Sequence, residues 1–171
     1  MTLNCQMCES EDDFAQAGLF LLAHKRDLHP SFTTLEMVTL LYSYVTNGRL
    51  VSVRNEENRI VGIGAYYYGT PDREFQDKDV ALVDVAIADK AYRGSRVFVQ
   101  GLLYLVDRVM EGHPEVREVR LAAQEDNAYL RRLYSKFATA GGVREGTHGR
   151  EVVFHAEINN LRTTLGKFSR L

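Results

Sequence analysis

"ALVDVAIADKAYRGSRVFVQGLLYL", residues 81–105, changes its hydrophobic period in the middle. As far as Ala88 it is rich in Val, Ile and Ala, as a strand buried on both faces reads. From Ser95 to about Gly112 the apolar residues fall at helical spacing, giving a strongly amphipathic helix. The joining loop holds Gly94, with Arg93 before it and Arg96 just beyond. The first turn of a helix has backbone N–H groups without partners inside the helix, and the dipole favours an anion in front of them. Gly94 can take positive φ and lets a ligand approach the backbone. A pyrophosphate would fit, held by the N–H groups of Gly94, Ser95, Arg96, Val97 and Phe98 and by the charge of Arg93 and Arg96. Locally, an ordinary charged strand–helix turn reads the same way. The stretch is not a Walker loop, because the second Gly, the Lys and the Ser/Thr are absent, and it is not G-x-G-x-x-G.

Outward from this unit the chain alternates in kind. "LNCQMC" reads as a first strand. "ESEDDFAQAGLFLLAHKRD" reads as a helix with Phe14, Leu19, Leu21 and Leu22 on one side, acidic at its start, basic at its end and stopped by His29-Pro30. "SFTTLEMVTLLYSYV" is a second helix, capped by Ser31, Thr33 or Thr34 and ended by Asn47-Gly48, with Leu35, Val38, Leu41 and Tyr42 as its expected apolar face. "RLVSVRN" and "RIVGIGAYYYG" flank a turn at "EENR". In the second of these, Tyr66 and Tyr68 share one face and Tyr67 takes the other. After the central unit come a strand, "VREVRLAAQ", and a helix, "DNAYLRRLYSKFA", which Asp126 or Asn127 would cap. Then come two strands around a Gly-containing turn, "VREGTHGREVVFHAEI". Residues 159–171 are amphipathic and read as an extra helix or a tail. The order is β-α-α-β-β-β-α-β-α-β-β, a mixed α/β domain.

The 171 residues, with 45% apolar and 26% charged, suit one globular domain over 1–171. A net charge of −2 leaves no electrostatic footprint for nucleic acid, and the apolar runs are too short to span a bilayer. "MTLNCQMCES" lacks a basic segment followed by an apolar core, so no signal peptide is read and the cytoplasm is expected. Cys5 and Cys8 form a C-x-x-C, but a structural zinc takes about four ligands and a second pair is missing. They are expected to be ordinary thiols, with no metal bound.

Asn127 and Tyr134 lie seven residues apart, two turns along one helix face. Singly, each has a plain explanation, a helix cap and a core ring. Together with "VDVAIADKAYRG" and the long helix after it, "RLAAQEDNAYLRRLYSKF" resembles the GNAT superfamily of acyl-CoA-dependent N-acyltransferases. The resemblance runs from about residue 3 to residue 158, and its specific part is 82–137. Arg93 matches the first position of the family's loop; Asn127, Leu133 and Tyr134 match its helix motif. Arg96 and Phe98 stand where the family usually has small residues, and "ATAGG" replaces a usual Gly-Phe.

The resemblance implies a mostly antiparallel central sheet flanked by helices, with a splayed gap between the fourth and fifth strands. It implies acetyl-CoA as co-substrate, its pantetheine arm lying in the gap like an added strand. Backbone groups near Ala86 and Ala88 would bind its amides, and an N–H at Ala86 or Ile87 would polarise the thioester carbonyl. Asn127 would belong to the same binding site. A primary amine, on a small molecule or a protein, would attack directly, and Tyr134 would protonate the departing thiolate. Asp84, expected on the strand face of Ala86, is a candidate base or ammonium anchor, or half of a structural ion pair. The acceptor pocket would draw on loop 26–34. The alternative is a catalytically degenerate GNAT-like domain serving as a binding module. The acceptor, the acyl length and any homodimer stay open at this level.

Overall fold

A computed structural model describes residues 2–92 and 94–170, with the backbone alone of Ser95. Seven strands form one sheet in the order β1-β2-β3-β4-β5-β7-β6. They are β1 (Asn4–Met7), β2 (Arg49–Arg54), β3 (Ile60–Tyr68), β4 (Val80–Ala88), β5 (Glu118–Gln124), β6 (Thr139–Gly146) and β7 (Gly149–Glu157). Every neighbouring pair is antiparallel except β4 and β5. The helices are α1 (Glu11–Leu28), α2 (Thr34–Asn47), α3 (Ser95–Gly112), α4 (Ala128–Ser135) and α5 (Ile158–Phe168). The element order is the one read from the sequence, and residues 159–168 are helical, with Leu161 and Leu165 buried against the core.

Local chemistry accounts for the helix ends. Ser10 and Thr33 each accept from the backbone N–H three residues on, while Asp13 and Glu36 reach back to the cap N–H, a reciprocal capping box at both helix starts. α3 differs: Gly94 stands at its N-cap with φ +137°, and no side chain caps it. That φ lies in the region that suits only glycine.

The two faces of the sheet carry separate cores. α1 and α2 cover one, over Leu50, Ala65, Tyr67, Leu82 and Val85. α3, α4 and α5 cover the other, over Val51, Tyr66, Val83, Leu121 and Phe154. Tyr66 and Tyr67 therefore point to opposite faces, as the strand period requires.

Three expectations about facing are corrected. Leu35, Val38 and Tyr42 are 75%, 44% and 71% exposed, and α2 instead buries Met37 and Tyr44. The apolar arc of this helix covers more than half its circumference, opposite Glu36, Thr39, Ser43 and Thr46, so its period could not single out the buried side. Leu19 on α1 is likewise outside, while Ala17, Phe20 and Leu21 are buried. The third concerns β4. Tyr66 pairs with Val83 and Ala65 with Val85, so Asp84 is an extra residue in the ladder. This bulge inverts the alternation downstream: Val85 and Ile87 join Leu82 on the α1–α2 face, and Ala86 turns to the α3 face. Asp84 and Ala86 do not share a face.

Candidate active site

β4 and β5 pair over only four residue pairs, Val80↔Glu118 to Val83↔Leu121. β4 then runs on to Ala88 and β5 to Gln124. Beyond Val83 the two strands separate, with the Asp84 bulge at the fork, and the β4 edge facing the gap loses its sheet partner. Bulges that end a pairing and re-aim a side chain are common beside active sites.

A chamber opens on each side of the fork. The first, about 120 Å³, lies between the sheet and α3, and its lining is mostly apolar. Ala86, Ile87 and Ala88 of β4, Gly94, Val97 and Phe98 of α3, and Asn127 line it. The second, about 250 Å³, lies on the α1–α2 side and is lined by Leu28, Phe32, Asp84, Arg144 and Glu151, among others. Leu28, Ala86, Asn127 and Leu130 line both. The chambers therefore meet where the strands part.

Of the expected donor residues, Ala86, Ile87, Ala88, Gly94, Val97, Phe98 and Asn127 line the first chamber, and Arg96 does not. The uncapped N-terminus of α3 faces it through Gly94, Val97 and Phe98. Phe98 packs its ring against Tyr134 and Phe137, with centroids 5.5 and 5.7 Å away, so its bulk is absorbed by the core as well as the chamber wall. Arg96 is exposed. Arg93 lies outside the described residues, as does the Ser95 side chain. Asn127 caps α4, its Oδ1 accepting from the Leu130 N–H at 3.1 Å.

Tyr134 is 1% exposed, packed edge-on to Phe154 and beside Phe98. Burial pushes its phenol well above the ordinary range, and the Asp84 carboxylate adds to this. The hydroxyl therefore keeps its proton at any physiological pH.

The second chamber holds a charge cluster. Asp84 accepts from the Tyr44 hydroxyl at 2.6 Å and from Arg144 Nη2 at 2.5 Å. Arg144 also donates to Glu151, through Nη2 at 2.9 Å and Nε at 3.2 Å. The side chains of Asp84, Arg144 and Glu151 are only 13%, 20% and 14% exposed. Burial alone would weaken the guanidinium charge, but the two carboxylates outweigh it and push the Arg144 pKa up. Tyr44, fully buried, has its pKa raised by desolvation first and by Asp84 second. The cluster ties α2, β4, β6 and β7 together under the fork. Asp72 and Glu145 add two more acids to the lining, so acids outnumber the one arginine.

Loop 26–34 contributes Leu28 and Phe32, as the sequence suggested. His29 is partly buried. Its ring stacks on His148 of the β6–β7 turn, centroids 4.7 Å apart, and His148 Nε2 lies 3.0 Å from Glu36. That contact bridges the loop and the hairpin beside the chamber.

Tyr44, Arg144 and Glu151 were missed in the sequence. Two of them left a signal: around the two-residue turn Thr147-His148, Arg144 and Glu151 are directly opposed, a cross-strand pair of opposite charge. Cys5 and Cys8 pack into different clusters, Cys5 with Val97 and Cys8 with Phe20 and Leu50. Among the described residues no group of three or more metal-binding side chains forms, and no helix is long and apolar enough to cross a membrane.

No protein-family model matches the sequence, and no curated protein sequence is similar to it. Solved structures are similar along nearly the whole chain. Aminoglycoside acetyltransferase AAC(6')-Ib, solved with coenzyme A, superposes with a TM-score of 0.71 at 16% identity, covering 95% of this chain and 99% of that one. An acetyltransferase of the GNAT family from Streptococcus pneumoniae gives 0.65 at 16% identity, covering 91% and 99%. The ribosomal-protein-S5-alanine acetyltransferase of Vibrio fischeri gives 0.67 at 10% identity, covering 93% and 94%. With its mostly antiparallel sheet and the one parallel pair that parts after four residues, the chain has the fold of these GNAT-type acetyltransferases.

Proposed function

We propose that this protein is an N-acyltransferase that moves an acyl group, acetyl at the least, from a coenzyme A thioester to a primary amine. The observation that carries the reading is the fork between β4 and β5, where an apolar chamber and an acidic chamber meet at Ala86 and Asn127. A thioester and an amine entering from opposite sides would find each other there. Two of the similar structures, the aminoglycoside acetyltransferase and a ribosomal L7/L12 alpha-N-protein acetyltransferase, hold coenzyme A.

In this reading the N–H groups of residues 94–98 hold the pyrophosphate, assisted by Arg93 and Arg96. The unpaired edge of β4 binds the pantetheine amides at Ala86 and Ala88, as a sheet edge binds an added strand. The N–H of Ala86 or Ile87 polarises the thioester carbonyl. The acidic lining attracts an ammonium, with Asp84 as its anchor or base at the fork. Once deprotonated, the amine attacks the carbonyl carbon; the C–N bond forms and the C–S bond breaks. Tyr134 gives its proton to the leaving thiolate. Its raised pKa makes it a donor that is always loaded.

The test has two steps. Acetyl-CoA at 100 times its dissociation constant should stabilise the fold by about 2.7 kcal/mol, read as a thermal shift. A panel of polyamines, aminoglycosides, amino acids and peptides is then screened for thiol release. Absence of any shift sinks the donor site. Binding without transfer to any amine favours the degenerate binding module.

A further inference from the structure

We infer that the donor's acyl group is longer than acetyl, a straight apolar chain of roughly four to eight carbons housed beneath α3. The inference rests on the donor reading above and concerns the inner end of the first chamber. That chamber does not stop at Ala86. Val51, Gly64 and Ala86 pair across β2, β3 and β4 as one row of the sheet, and the same chamber touches all three. Two strand spacings of about 4.8 Å separate the ends of that row, which sets the chain length. Gly101, Leu102 and Leu105 of α3 line the side opposite the sheet. Among the described residues, Asp27 and Tyr129 are the only ionisable side chains in the lining, and neither lies on β2, β3 or α3. The inner end is apolar, the chemistry of an alkyl chain.

The glycines carry the argument further. A Cβ at Gly62 would meet Val97 Cγ1 at 2.8 Å, and one at Gly101 would meet Val53 Cγ2 at 3.1 Å. Close approach of α3 to the sheet explains both. It does not explain Gly64. A Cβ there would meet nothing nearer than Leu105 Cδ1 and the Val85 carbonyl, both at 4.0 Å, and its φ is not positive. Glycine weakens a strand interior, and it is often kept beside a bulge, such as the one at Ala65/Tyr66, or where a ligand comes close to the backbone. Gly64 lies directly beside Ala86, where the thioester carbonyl would be held. The missing side chain leaves room for the chain that leads away from that carbonyl.

Dissociation constants for acetyl-, butyryl-, hexanoyl- and octanoyl-CoA, measured by calorimetry on the parent and on Gly64→Ala, test this. Each buried methylene should tighten binding about fourfold until the chamber is full, so butyryl-CoA should bind about fifteenfold tighter than acetyl-CoA. Gly64→Ala folds, since its Cβ has room, and should lower the butyryl-to-acetyl affinity ratio at least fourfold. Affinity that is flat or falls with chain length, while acetyl-CoA binds, overturns the inference and leaves the donor reading standing. An unchanged ratio in Gly64→Ala overturns it too, because the chain would then lie elsewhere. If no thioester binds, the donor reading fails and the acyl chamber falls with it.

Discussion

Replacing Arg144 with methionine keeps most of the stem and removes the guanidinium from between Asp84 and Glu151. Two unit charges 4 Å apart attract by about 4 kcal/mol at an effective dielectric near 20. Desolvation of the three charged groups offsets much of that gain, so the intact cluster adds little net stability. Deleting the cation is a different matter. It leaves two carboxylates, 13% and 14% exposed, beside each other with no counter-charge. Breaking a buried pair in this way costs about 3–5 kcal/mol. The second chamber admits water to both acids, which places the expected loss near 3 kcal/mol. For a chain of this length 1 kcal/mol is worth about 2–4 °C, so Tm should fall by roughly 6–12 °C. Adding Asp84→Asn to Arg144→Met removes one orphaned charge while keeping an acceptor for the Tyr44 hydroxyl, and should recover 1 kcal/mol or more. Urea titration of the parent, both single variants and the double variant measures the coupling directly. A loss under 1 kcal/mol in Arg144→Met, or a double variant less stable than it, would refute the reasoning.

Tyr134→Phe keeps the ring in its contacts with Phe98 and Phe154 and removes only the proton donor. Turnover should drop by about 10²–10⁴ with donor affinity nearly unchanged, and a variant as fast as the parent would remove Tyr134 from the mechanism. Gly94→Ala meets no atom within 4 Å, so its whole effect is the strain of a Cβ at φ +137°. It should lose about 1–2 kcal/mol and weaken coenzyme A binding, and a stability within error of the parent would mean that the loop relaxes freely. Burial pushes both Cys5 and Cys8 up to about 11, so at pH 8 almost no thiolate is present. Alkylation of the native protein by iodoacetamide should be slow and should accelerate as pH rises toward that value; rapid labelling at pH 7 would contradict it.

Runs such as "ALVDVAIAD" and "SRVFVQGLLYL" declare their period within a dozen residues, so strand, loop and helix were legible locally. So were the caps at Thr33 and Asn127, each among the candidates the sequence offered, because a cap is made with a neighbour three residues away. The position of Gly94 before an uncapped helix was readable for the same reason. What the sequence could not carry is whatever depends on pairing between distant segments. The bulge at Asp84 exists only relative to Tyr66 and Ala65 on β3, and it alone turns Asp84 away from Ala86. The outward face of α2 followed from the same kind of contact. Leu35, Val38 and Tyr42 looked as apolar as Met37 and Tyr44, and Tyr42 carries the same hydroxyl as Tyr44; only the fold brings Asp84 from 40 residues away to accept the Tyr44 hydrogen bond. A buried phenol needs a partner, so the helix turned that way. Local free energies selected the elements; the satisfaction of buried polar groups across the sheet decided which residues meet at the fork.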